Sequence, residues 1–374
     1  MSISWSQFGN AIIGNAKQKR VPLVAQLELT SRCNLQCKMC YVCNKANAKE
    51  VIKREKTADE WIDLAKQARD AGVLYVLLTG GEVFIRDDFR EIYEAISEMG
   101  FSVQIYTNGT LITPELAKWL GKRPPAKVSV TLYGASQETY KSITGSSSAF
   151  NRAIQGIELL KDENILVSIR TTTVKGNKSD SRGIFDIANQ KGIKFGIGQY
   201  ISPRREDNFT DPLSERLTPE EAVEYNRDIR TYINSVTAKE SLVNAEERAL
   251  HKHDIMKVDI DNIVEKTDEM HQNSAFACSA GHCAFWVTWD GRMTPCGMMM
   301  EPIVDVFHKE FVTAWEELKE KCDVIPKATV CESCESRVFC VKCPAKLKLE
   351  TGTFTQCSEY LRQLSHLIHV SIQE

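Results

Sequence analysis

No stretch of the chain approaches the roughly 18 consecutive apolar residues that a membrane-spanning helix needs, which excludes a helical span. Residues 1–20 carry no long apolar run ahead of a small-residue cleavage site, so no secretory signal is expected there. Strong charge of either sign is also missing. Lys and Arg total 47, Asp and Glu 50, and the net charge is −3. That balance argues against bulk electrostatic capture of nucleic acid or an anionic membrane. Low-complexity tracts are absent. So is any repeat beyond a simple alternation of strand and helix.

Cysteine is absent from residues 44–277, and the gap is informative because the chain holds 13 in all. Four lie between Cys33 and Cys43 and nine between Cys278 and Cys357. Without an export signal these are expected to be reduced thiols of a cytoplasmic protein. An odd total in two tight groups points to metal or cofactor ligation. The length of 374 residues, 43% of them hydrophobic, supports a large core and more than one domain.

From Leu23 to Ile201 the pattern alternates strand and helix. Strands are expected at Leu23–Thr30, Leu74–Thr79, Phe101–Thr107, Lys127–Tyr133, Ile165–Val174 and Lys194–Ile201. Between them, Thr57 and Glu60 form a capping box before the apolar stripe Trp61, Leu64, Ala65 and Ala68. Gly72 and Gly100 are placed to stop helices, and Thr113-Pro114 to open one. Six such units predict a parallel α/β sheet. They are too few for a closed eight-stranded barrel, so an open, partial (β/α)6 barrel is expected, with ligands at the C-terminal strand ends. Four segments follow: an N-terminal stretch (1–22), the partial barrel (23–201), a charged, helix-biased connector (202–275) and a cysteine-rich unit (276–374). In the connector, Leu217–Val236 reads as helix, and His251 and His253 read as solvated surface residues. In the last unit, Ala284–Thr288 and Arg292–Pro295 read as a hairpin about Asp290-Gly291.

Cys33-Asn-Leu-Gln-Cys37-Lys-Met-Cys40 follows the first strand directly. Gaps of three and two residues let one short loop wrap three thiolates around a common centre. Soft thiolates select zinc or iron–sulfur clusters. A structural zinc site needs a fourth ligand, for which Cys43 is available. A four-iron cluster on three cysteines leaves one iron open. The second strand ends in Thr79-Gly80-Gly81-Glu82, where two glycines permit close backbone approach and a carboxylate can take an ammonium group.

Together these motifs resemble the radical S-adenosylmethionine (SAM) superfamily. The resemblance implies a 4Fe–4S cluster on Cys33, Cys37 and Cys40, with the amino and carboxylate groups of SAM on the open iron. It further implies SAM contacts at Met39, Gly80, Gly81, Glu82, Asn108, Thr131 and Arg170. Val83 departs from the family's usual Pro, and Tyr133 from its usual Asp.

The C-terminal cysteines read C-x12-G-x4-C from Cys278 through Gly291 to Cys296, and C-x2-C-x5-C-x2-C from Cys331 to Cys343. The second run by itself also suits a zinc ribbon. The order resembles the SPASM extension of radical SAM enzymes, which carries two auxiliary 4Fe–4S clusters. That resemblance implies one set of Cys278, Cys283, Cys296 and Cys343, and another of Cys331, Cys334, Cys340 and Cys357. Val341 and Lys342 leave a final gap one residue shorter than the family's. Cys43 and Cys322 remain as a bystander and a packing or surface thiol.

The same resemblance implies three clusters, SAM, and an external one-electron donor such as flavodoxin or ferredoxin. It also implies a ribosomally made peptide as substrate, with no role for nucleic acid or membrane. A radical dehydrogenase of a small alcohol or sugar is the alternative, and a non-catalytic iron–sulfur carrier a third reading. Gly297 stands where the sulfatase-maturing branch has Asp, which lowers that reading. No acid–base residue stands out. Only about twenty residues precede the first strand, too few for a peptide-recognition domain. Recognition is therefore expected from a separate small protein or from the connector.

Overall fold

The computed structural model describes residues 5–42, 44–205, 211–243, 274–340 and 343–373. Cys43, His251, His253, Val341 and Lys342 lie outside these residues. No helix among the described residues is long and apolar enough to cross a membrane.

Six parallel strands form the barrel: β1 (Val24–Glu28), β2 (Tyr75–Thr79), β3 (Ser102–Thr107), β4 (Lys127–Thr131), β5 (Val167–Thr172) and β6 (Lys194–Gly198). Each pairs in parallel with the next. Val76, Leu78, Val103, Ile105, Val128, Val130 and Ile169 are buried in one core with Trp61, Leu64, Ile92, Ile96, Leu120, Ile157 and Ile184 of the intervening helices. The alternate strand positions behave differently. Gln104, Tyr106, Thr131, Ser168 and Thr172 are half-buried and Arg170 is exposed. Strands buried on both faces read as continuous apolar runs. The period of two seen here leaves the inner face polar along β3, β4 and β5.

The helix punctuation follows local chemistry. Ala58–Asp70 opens with both bonds of the Thr57–Glu60 capping box. Thr113 accepts from the Leu116 N–H ahead of Pro114. Gly72 and Gly100 take left-handed backbone just after their helices, with φ +109° and +88°. The connector helix runs Pro219–Val243, and a second capping box joins Thr218 and Glu221 at 3.0 and 3.2 Å.

The C-terminal hairpin forms about Asp290-Gly291, with β7 (Ala284–Val287) antiparallel to β8 (Arg292–Thr294). Its placement is the unexpected part. β7 pairs in parallel with β1, with Gln26 opposite Trp286. One nine-stranded sheet therefore runs from β9 (Val304–Asp305) through the hairpin and across the barrel to β6. The free edge of β1 is covered by the chain's own distant hairpin, which removes an unpaired strand edge.

Replacing Thr57 with Ala removes one bond of the capping box, and a loss of about 1 kcal/mol is expected. The urea midpoint of the variant should fall accordingly, and Thr57→Asp, which restores an acceptor, should recover most of it.

Candidate active site

The loop after β1 is held by its backbone. Gln36 N–H donates to Thr144 O at 3.1 Å and Lys38 N–H to Ile143 O at 3.0 Å, both at the end of the helix Gln137–Thr144. Leu35 anchors the loop in the core. Cys33 and Cys37 are buried and Cys40 half-buried. Burial raises the Cys37 thiol well above its ordinary value, and the neighbouring Cys40 and Cys33 raise it further. The three cysteines are thus close enough for their charges to repel. Donors surround them: Leu35 N–H lies 3.4 Å and Asn108 Nδ2 3.6 Å from Cys33 Sγ, and the Tyr133 hydroxyl bonds Cys37. Such donors stabilise thiolate over thiol, which fits a set of cluster ligands. Among the described residues, no three Cys, His, Asp or Glu side chains converge as closely as a single metal ion requires.

Gly80 and Gly81 serve a contact within the protein. A Cβ on Gly80 would stand 2.4 Å from Thr30 O, and one on Gly81 2.4 Å from Arg32 O. Their backbone instead bonds this segment, with Gly81 N–H donating to Thr30 O at 2.8 Å and Glu82 N–H to Arg32 O at 2.9 Å. The glycines therefore press the end of β2 against the residues that lead into Cys33.

Glu82 is buried and already engaged. It accepts from Thr107 Oγ1 at 2.7 Å, Asn108 N–H at 2.7 Å and Phe84 N–H at 3.2 Å. Burial nonetheless pushes its carboxyl up to about 7 against those three bonds. Met39 is buried nearby in the core. Thr131 and Arg170 sit side by side in register on β4 and β5. Arg170 bonds the Tyr106 hydroxyl and lies over its ring at 4.9 Å.

The C-terminal cysteines separate into two neighbourhoods. Burial, then Cys343 and Cys278, push Cys296 up to about 12, and Cys283 is raised by burial and by Cys278. Burial, then Cys331, Cys357 and Cys334, push Cys340 up to about 11. Cys357 in turn is raised by burial, then by Cys331 and Cys334. Cys322 is a packing thiol: it is buried, and a Cβ on Gly281 would stand 2.7 Å from its sulfur.

Residues 27–185 match the family model described as the radical SAM superfamily. The chain carries a radical SAM domain. It is 28% identical over 335 residues to an AdoMet-dependent heme synthase of Methanosarcina barkeri, covering 85% of this chain and 92% of that one. It is 25% identical over 287 residues to the sporulation killing factor maturation protein SkfB of Bacillus subtilis, covering 76% and 62%. Among solved structures it resembles Streptococcus suis SuiB bound to precursor peptide SuiA, with TM-score 0.67 and 19% identity over 97% of this chain and 82% of that one. At that identity the likeness is one of fold.

Two features of this site are not legible in the sequence alone. Tyr133 was visible only as a departure from the family pattern, yet its hydroxyl reaches Cys37. Its place just past the end of β4, two residues beyond Thr131, is the available signal. Gly297 is explained by packing, since a Cβ there would stand 2.8 Å from the Trp286 ring. No Asp fits at that position without displacing the indole.

The Glu82 carboxyl yields a pH prediction. Its folded value of about 7 lies above the ordinary 4.5, so the folded ligand-free protein holds this proton more tightly than the unfolded chain. The contribution is full below pH 4.5 and is lost as pH rises towards 7. On the order of 3 kcal/mol is involved. Urea midpoints between pH 5 and 7 should fall with rising pH, and Glu82→Gln should flatten that slope. An unchanged slope in the variant would assign it to other groups.

Proposed function

We propose that this chain is a radical SAM enzyme with two auxiliary 4Fe–4S clusters that modifies a ribosomally made peptide. The observation that supports the cluster part is electrostatic proximity: Cys37 feels Cys40 and Cys33, Cys296 feels Cys343 and Cys278 (with the buried Cys322 beside them), and Cys340 feels Cys331, Cys357 and Cys334. On this reading Cys33, Cys37 and Cys40 hold the SAM cluster. Cys278, Cys283, Cys296 and Cys343 hold one auxiliary cluster, and Cys331, Cys334, Cys340 and Cys357 the other. Held by those three cysteines, the first cluster would supply the single electron for reductive cleavage of SAM into methionine and the 5′-deoxyadenosyl group that takes a substrate hydrogen atom. Flavodoxin or ferredoxin is the fitting donor.

The chain's own residues prepare that chemistry. Glu82, near neutrality when buried alone, ionises readily beside an ammonium group, because an adjacent cation favours the charged form. The Gly80–Gly81 backbone, Met39, Asn108, Thr131 and Arg170 line the remaining approach to SAM. Tyr133 and Asn108 direct donors at the cysteines and hold their orientation.

SkfB and SuiB support the peptide substrate. The open barrel also ends in β6, the terminal strand of the sheet, beside the helix Pro219–Val243. An extended peptide can add to such an edge. Recognition then falls to a separate small protein or to the segment 203–275. A second reading follows from the heme synthase similarity, which spans most of both chains.

Two measurements test these readings. Iron after anaerobic reconstitution should approach about twelve per chain. Cys37→Ala should lose roughly a third of that together with all 5′-deoxyadenosine release. A stable value near four with stoichiometric zinc would remove the auxiliary clusters. For the substrate, the reconstituted enzyme is offered a leader-bearing precursor peptide encoded beside its gene and, separately, an iron porphyrin precursor of heme. A mass change in the peptide with 5′-deoxyadenosine release is expected. Conversion of the porphyrin alone would select the second reading.

A further inference from the structure

Arg205 lies outside every motif, yet it touches both cysteine regions. Its backbone N–H donates to Tyr41 O at 3.1 Å, directly after Cys40. Its Nη1 donates to Gly297 O at 3.0 Å, directly after Cys296. Its Nη2 donates to both carboxylate oxygens of Glu28, at 2.7 and 2.8 Å. Glu28 is the last residue of β1 and also accepts from Trp286 Nε1 at 2.9 Å. The ion pair is almost wholly out of water, with side-chain exposures of 1% and 2%. The guanidinium also lies 5.8 Å from the Tyr41 ring centre.

This geometry differs from ordinary packing. One rigid, planar group bonds the loop after Cys296 and the strand that feeds the Cys33 loop, while its own backbone bonds the residue after Cys40. Trp286 closes the other side by lying flat where a side chain at position 297 would project. A shift of the Gly297 carbonyl therefore moves the guanidinium or breaks its bond. The Glu28 carboxylate resists that movement, because leaving either charge unpaired in this interior is strongly unfavourable.

We propose that Arg205 is a positioning residue that couples the two sites. When the set containing Cys296 is loaded, its loop is held, Arg205 is held with it, and Tyr41 and Cys40 are fixed in the arrangement that binds SAM. The coupling is thermodynamic and reciprocal. It rests on the reading that both cysteine sets carry clusters. The bonds described for Arg205 reach Tyr41, Glu28 and Gly297, and the set of Cys331, Cys334, Cys340 and Cys357 serves as the comparison.

The test is a double-mutant cycle on SAM affinity, measured by equilibrium dialysis of reconstituted, full-length protein. Cys296→Ala is expected to weaken SAM binding about tenfold in the wild-type background and less than about twofold in Arg205→Lys. Lysine keeps the charge beside Glu28 but lacks the fork that also reaches Gly297 O. Cys334→Ala removes a ligand of the other set, and whatever it does to SAM affinity should be the same within about twofold in the wild-type and Arg205→Lys backgrounds. Should Arg205→Lys fail to fold, Glu28→Gln with Arg205→Met removes both buried charges together and should abolish the coupling in the same way. Equal weakening by Cys296→Ala in both backgrounds overturns the inference, as does a Cys334→Ala effect that shrinks in Arg205→Lys as much as the Cys296→Ala effect does. Wild-type iron of about twelve per chain with either result condemns the coupling alone, whereas iron near four condemns the cluster reading beneath it.

Discussion

The close approach of the Gly80–Gly81 backbone to Thr30–Arg32 is the contact on which the site depends. Any side chain at either glycine would meet a carbonyl oxygen at 2.4 Å. Because none is there, the end of β2 bonds directly to the chain entering Cys33. Glu82 then reaches across to Thr107 and Asn108 at the end of β3, and Asn108 reaches back to Cys33. Three successive strand ends are thus clasped around one loop by hydrogen bonds with almost no exposure to solvent. Buried polar groups so fully paired tend to rigidify what they join. A loop carrying three cysteines needs that rigidity, since its own short length supplies little core.

The Glu28–Arg205 pair plays the same part on the other side of β1. A buried ion pair is weak evidence of added stability, because desolvation offsets much of the attraction. Its value here is geometric. It fixes the relation between β1, the loop after Cys40 and the loop after Cys296, and it stands beside the Gln26–Trp286 register that extends the barrel sheet into the hairpin. The radical SAM domain and the cysteine-rich segment consequently share a sheet and a buried network.

The polar inner face of the barrel belongs to the same design. Its outer face is spent on one large helix-covered core, so the remaining strand positions are free to carry Gln104, Tyr106, Ser168 and Arg170. One such scaffold can carry different chemistries, because the residues lining its inner face are not those that hold the core together.

Much of this was legible in the amino-acid order. Strand and helix alternation, the Thr57–Glu60 cap, the Asp290-Gly291 turn and the Cys33–Cys37–Cys40 spacing are short-range signals. Each depends on residues a few positions apart, where backbone geometry leaves few alternatives. Glu82 was legible as a carboxylate near the site, but its engagement with Thr107 and Asn108 was not. Tyr133 and Gly297 carried ambiguous signals, because their roles are set by Cys37 and Trp286 rather than by their neighbours in sequence. The pairing of β7 with β1 and the convergence of Arg205 on Tyr41, Glu28 and Gly297 left no local trace. They join segments far apart along the chain, and such contacts are chosen by complementary burial and charge only once the whole sheet has closed.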